Sequence, residues 1–202
     1  EKSRNLMTIR LADKIGMEKI LQTAKDFDLQ KGLDNNMSMA LGAGVVTLRD
    51  LTNAYAMVVN GGKKIKPNLI QSIYDRRGKL IFTSEEKKCL NCIQFGDLIE
   101  YELPEIEEQE EFVIDRKVAY QITSMLEGVI QRGTGKKIAT LKIPLAGKTG
   151  TTNDNKDAWF IGFSPDLVVG VYVGYDHPKS LGYKETGSKV AVPIFKEFMK
   201  KA

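Results

Sequence analysis

Over residues 1–24, apolar side chains recur at helical spacing (Leu6, Ile9, Leu11, Ile15, Met17, Ile20, Leu21), with Gly16 between them. That spacing predicts two short helices broken at the glycine. Residues 26–45 carry Gly32, Asn35, Asn36, Gly42 and Gly44 and read as a loop. Thr47 then opens a helix with a buried stripe of Leu48, Leu51, Ala54, Tyr55 and Val58, which Asn60-Gly61-Gly62 stops. Asp50, three residues after Thr47, makes a weaker form of the capping box.

The period then changes. Residues 67–74 and 79–82 flank Asp75-Arg76-Arg77-Gly78, which predicts a hairpin with a four-residue connection. From Glu85 to Glu111 the pattern dissolves into a block of glutamates with Pro104 inside it, an exposed excursion from the main body. Asp115 to Gln131 returns to helical spacing, with Val118, Ile122, Met125, Leu126, Val129 and Ile130 on one side. Strands follow at about 143–152, 157–163 and 167–175, with Ser164-Pro165-Asp166 turning between the last two. Ala191 to Lys201 closes the chain as an amphipathic helix. Helices followed by consecutive strands predict an α+β fold, an antiparallel sheet with flanking helices.

Composition narrows the function. A chain of 202 residues with 42% hydrophobic content can build a real core. The net charge of +4 is scattered, without the basic stripe or aromatic interleaving of a nucleic-acid binder, so no nucleic-acid partner is expected. Apolar runs such as Leu167 to Tyr175 fall far short of the roughly 20 residues of a membrane helix. Glu1-Lys2-Ser3-Arg4-Asn5-Leu6 reads like the middle of a domain, and the chain is expected to be a piece of a longer one. Cys89 and Cys92 form one C-x-x-C without a second pair, which predicts a local disulfide or two free thiols rather than a zinc site.

Candidate chemistry centres on Lys148-Thr149-Gly150, at the end of the apolar run Ile143-Pro144-Leu145-Ala146. A strand ending there offers an ammonium, a hydroxyl and bare backbone donors to an anionic, amide-containing substrate. A phosphate-binding loop is excluded, because position 142 is Lys where that motif needs glycine. Gly135-Lys136 fails the same test, with Ile130 five positions before the glycine. Upstream lies Ser3-Arg4-Asn5, an S-x-N triplet. His177, the only histidine, reads as a loop residue, Trp159 as core packing under the sheet, and Asp154 and Asp157 as structural partners in a strand connection.

S-x-N followed by Lys-Thr-Gly is the order found in the active-site serine penicillin-recognising enzymes, whose third signature is S-x-x-K. The chain resembles the C-terminal part of the transpeptidase domain of the class A penicillin-binding proteins, of the 1A type. Besides the two triplets, the likeness rests on Glu1-Lys2 before the first, Ala40-Leu41-Gly42, Thr47-Leu48-Arg49-Asp50-Leu51, Asn60-Gly61-Gly62, Met125 through Val129, Arg132-Gly133-Thr134-Gly135-Lys136, Ala146 through Asp154, Asp157 through Gly162, and Val173 through Asp176. It spans residues 1–202, with a variable acidic insertion at about 85–113, and implies a partial penicillin-binding transpeptidase fold, similar to the serine β-lactamases.

The resemblance implies acyl transfer on peptidoglycan stem peptides. Ser3 would pass a proton to the leaving amine, and Asn5 would hold the acyl-side amide. Lys148 would supply positive charge beside the terminal carboxylate, and Thr149 and Thr151 would hydrogen-bond it, with Gly150 allowing close approach. The Thr151 N–H would form half of an oxyanion hole. β-lactams would enter as mimics, and no cofactor or metal is implied. The expected partners also include the missing N-terminal part of the same protein, whose absent anchor would be the only membrane contact, on the periplasmic side of the bacterial inner membrane.

One element is missing. The nucleophilic serine should precede S-x-N by tens of residues and is expected to lie outside this chain. The only S-x-x-K here, Ser84-Glu85-Glu86-Lys87, follows S-x-N and sits in a polar, acidic stretch with no apolar pocket to lower its lysine's pKa. Ser84 reads as a turn or cap residue. A D,D-carboxypeptidase, a serine β-lactamase or a non-catalytic binding module on the same fold are the alternative readings.

Overall fold

Gly16, at φ 88°, ends the first helix at the predicted break, so α1 (Asn5–Ile15) and α2 (Met17–Asp26) follow each other directly. The structure is a computed structural model that describes residues 1–29, 31–84, 89–90, 105–106 and 111–202. It divides into two compact bodies, residues 1–65 with 112–202, and residues 66–111.

In the first body the predicted loop after α2 contains a 3-10 turn, Met37–Leu41, capped by the Asn36 side chain. Thr47 caps α3 (Leu48–Val59), its hydroxyl accepting the Asp50 N–H at 3.1 Å. Asp115 caps α4 (Arg116–Arg132) through the Lys117 N–H. Losing such a cap costs about 1 kcal/mol.

The second body holds the predicted hairpin, β1 (Ser72–Tyr74) against β2 (Leu80–Thr83), with Gly78 at φ 80° in its turn. It also holds a short antiparallel pair, β3 (Cys89–Leu90) with β4 (Glu105–Ile106). Cys92 and most of the acidic segment lie outside the described residues.

The three predicted strands form one antiparallel sheet in the first body: β5 (Ala146–Thr151), β6 (Ala158–Phe163) and β7 (Val168–Val173), in that order. Helix α5 (Ala191–Met199) covers one face, where Phe195 meets Phe160 edge-on at 4.9 Å. Both rings are fully buried, and Ile130, Ile138, Leu145, Val171, Val192 and Met199 complete that core. Burying one such side chain contributes about 1.5–3 kcal/mol. Helix α3 covers the other face, with Tyr55 against Phe163 and Leu48 and Thr52 against Gly170.

Two expectations about buried faces change. On α4, Val118 and Met125 are 43% and 59% exposed, and the buried residues are Ala119, Gly128, Val129 and Ile130. Periodicity marks the apolar stripe, but the helix buries the side where small residues allow close approach to β5 and α3. Trp159 is half-buried and packs on Tyr172 at 4.8 Å, because its register puts it on the face opposite Phe160. On α1, Leu6, Met7 and Leu11 are more than half exposed. No described helix is long and apolar enough to cross a membrane.

Candidate active site

Strand β5 positions the site because it is an edge. Among the described residues its only strand partner is β6, in the register Lys148↔Ile161, Thr149↔Phe160, Gly150↔Trp159 and Thr151↔Ala158. Just past β5, Thr152 N–H donates to Asp157 C=O. Antiparallel pairs alternate between bonded and non-bonded positions. Counting back from 152, residues 150 and 148 turn their N–H groups to β6, and 149 and 151 turn theirs to the open edge. The Thr151 N–H therefore faces outward, as an oxyanion donor must.

Lys148 lies on the α3 face of this edge, and its side chain reaches the start of α1. The Lys148 Nζ donates to Ser3 Oγ at 2.6 Å and to the Thr149 carbonyl at 2.8 Å. Ser3 sits at φ 49°, a left-handed conformation uncommon outside glycine and concentrated at functional positions. Burial lowers the Lys148 pKa from the ordinary lysine value, since desolvation disfavours the ammonium. Asn5 is the first residue of α1, exposed and two positions beyond Ser3.

Thr149 and Thr151 share the opposite face, as period two requires, and each hydroxyl has a protein partner. The Thr149 Oγ1 lies 2.7 Å from the Thr134 Oγ1, and the Thr151 Oγ1 accepts the Gly187 N–H at 3.0 Å. Accepting leaves the Thr151 hydroxyl proton free to donate. Ser188 donates to the Thr134 carbonyl at 2.8 Å, tying the 187–188 turn to the end of α4. At Gly150, opposite Trp159, an added Cβ would stand 3.0 Å from the Trp159 Cβ.

The remaining candidates fall into structural places. Ser84 lies at the end of β2, where its hydroxyl donates to the Gln71 carbonyl at 3.1 Å, while Lys87 lies outside the described residues. Asp157 accepts from the Thr152 hydroxyl at 3.0 Å and from the Tyr172 hydroxyl at 2.9 Å. His177 is an exposed loop residue. Glu1, Arg132, Thr134 and Gly187 carry no role legible from sequence alone. The run Arg132 to Lys136 was visible as a motif, but only its contacts show what it touches.

Fold and edge geometry together define a class. Residues 1–200 match the family model described as the penicillin binding protein transpeptidase domain, and the chain belongs to that family. Among its relatives, penicillin-binding protein 1A of Rickettsia typhi is 47% identical over 203 residues, covering all of this chain and 26% of the relative. Penicillin-binding protein 1A of Pseudomonas aeruginosa is 37% identical over 228 residues, covering 98% of this chain and 28% of the relative. The crystal structure of penicillin-binding protein 1A from Haemophilus influenzae superposes with a TM-score of 0.84 at 32% identity, over 99% of this chain and 33% of that one. The chain thus spans about a quarter of the length of the curated relatives it matches.

Proposed function

We propose that residues 1–202 are the C-terminal part of a D,D-transpeptidase domain that cross-links peptidoglycan stem peptides and binds penicillin at the same site. The observation that carries this reading is the Lys148 Nζ on the Ser3 Oγ, on the open edge of β5. Membership of the transpeptidase family supports it.

The chemistry is an amide exchange in two halves. A serine hydroxyl, supplied from outside residues 1–202, attacks the carbonyl between the two terminal D-alanines. A C–O bond forms and the C–N bond breaks; the serine's proton ends on the departing D-alanine amine, relayed by Ser3. An amine of a neighbouring stem peptide then attacks the ester, restores an amide as the cross-link and returns the proton to the serine. Lys148 keeps positive charge beside Ser3 and the substrate carboxylate. Thr149 and Thr151 bind that carboxylate, Asn5 holds the acyl-side amide, and Gly150 lets the substrate lie against the strand. The outward Thr151 N–H stabilises the oxyanion, and such a donor contributes about 3–4 kcal/mol to the transition state.

In the full-length protein this domain works on the periplasmic side of the inner membrane, held by an N-terminal anchor and accompanied by a glycosyltransferase domain. The upstream part of the domain supplies the nucleophile and covers the exposed apolar residues of α1.

A fluorescent penicillin tests the reading. The 202-residue chain alone should take no covalent label, and a chain extended upstream to include the S-x-x-K serine should be labelled there. A label mapping to Ser84 would overturn the assignment. Release of free acid in the presence of a competent amine acceptor would turn the reading to a carboxypeptidase or β-lactamase.

A further inference from the structure

The end of α4 touches both halves of the site. Arg132 grips the Glu1 carboxylate with two nitrogens: Nε donates to Oε2 at 2.9 Å, and the second guanidinium nitrogen pairs with Oε1. Gly133 lies under the Glu1 backbone, where an added Cβ would come within 2.5 Å of the Glu1 carbonyl oxygen. At Gly128, one turn back, an added Cβ would press on the Glu1 carboxylate and the Arg132 guanidinium, which would have to shift. Thr134, the next residue along, meets Thr149 hydroxyl to hydroxyl. Within three consecutive residues the helix end therefore binds the segment leading to Ser3 and the strand carrying Lys148.

We infer that Arg132, Gly133 and Thr134 are positioning residues that hold Ser3 and Thr149 at their working separation around Lys148. The inference rests on the acyl-transfer reading of the site. A pair as open as Glu1 and Arg132, with side chains 30% and 60% exposed, adds little to stability. Its value is geometric, because a planar fork on a carboxylate fixes orientation as well as distance. The Arg132 hydrogen bonds hold the Glu1 carboxyl below its usual pKa. Only Lys2 separates Glu1 from Ser3, whose left-handed backbone needs its neighbours held to persist. Thr134 acts on the other partner by orienting the Thr149 hydroxyl, which in turn sets the carboxylate pocket.

The two contacts predict different kinetic signatures in the full-length protein. Arg132→Gln should lower the limiting rate of acylation by a fluorescent penicillin about tenfold to a hundredfold, the scale of a 1 Å misplacement. Arg132→Lys, which keeps the charge without the fork, should stay within about threefold of Arg132→Gln. Glu1→Gln should reproduce the loss, and the double variant should be no worse than the poorer single one. Thr134→Val should instead raise the saturation constant about three- to tenfold, with Thr134→Ser restoring it. Thermal midpoints serve as the control, since a merely structural role would move them together with the rates. Normal kinetics in both Arg132→Gln and Thr134→Val, or full rescue by Arg132→Lys, overturns the inference while the proposed function stands. Failure of the unaltered protein to react with penicillin overturns both.

Discussion

Lys148 and Ser3, 145 positions apart, meet at 2.6 Å where the open edge of β5 faces the residues just before α1. The ammonium also donates to the Thr149 carbonyl, so its head is held from two sides and aimed across the edge. A serine so placed has its oxygen lone pair engaged by the lysine and its proton directed away from it. That polarity suits a group passing a proton to a leaving amine.

The lowered Lys148 pKa sets a pH dependence. With the folded value below the unfolded one, the folded chain releases this proton first, and its destabilising effect is complete below the folded pKa. Between the folded pKa and the ordinary lysine value of about 10.4, stability gains from this group as pH rises. On the proposed reading the ammonium is the working form, so activity should run the other way. The acylation rate of the full-length protein should fall along an alkaline limb below that ordinary value, and Lys148→Arg should move the limb upward. A pH–rate profile measures both.

Gly187 should not tolerate a side chain. A Cβ there would come within 2.5 Å of the Trp159 carbonyl oxygen and closer still to that of Gly150, and backbone cannot swing aside. Gly187→Ala should displace the N–H that Thr151 accepts, weaken penicillin binding and cost about 1–3 kcal/mol, the usual range for overpacking. Denaturant unfolding and penicillin saturation curves give the two numbers.

Asp157 ties the β5–β6 connection to β7 through Thr152 and Tyr172. Its hydrogen bond and negative charge raise the Tyr172 phenol pKa. Asp157→Asn should bring that phenol back toward about 10, measured by ultraviolet titration against a Tyr172→Phe reference.

Phe160 is fully buried against Phe195 at the centre of the larger core. Phe160→Ala should cost about 3–5 kcal/mol in unfolding free energy. It should also reduce acylation, because Phe160 is the cross-strand partner of Thr149.

Local signals carried much of the fold. Gly16, the Thr47 cap, the hairpin around Gly78 and the three strands all answer to short-range rules, and each stands near its predicted place. What the pattern missed depends on neighbours distant in the chain. Met57 is fully buried although it fell outside the predicted stripe, and Val118 and Met125 are apolar yet exposed. The pairing of Ser3 with Lys148 was reached through motif order and family likeness, since no periodicity links positions so far apart. Arg132 and Thr134 stand in a legible motif, but their contacts with Glu1 and Thr149, like that of Gly187 with Thr151, exist only in the folded chain.

The most direct test is a double-mutant cycle on the full-length protein, comparing second-order penicillin acylation rates of Ser3→Ala, Lys148→Ala and the double variant with the unaltered protein. Working as one unit, the two residues should each cost at least about a hundredfold, and the double variant should fall well short of the summed losses, a coupling of about 1–3 kcal/mol. Near-normal rates in either single variant, or strictly additive losses, would contradict a shared role for Ser3 and Lys148 in acyl transfer.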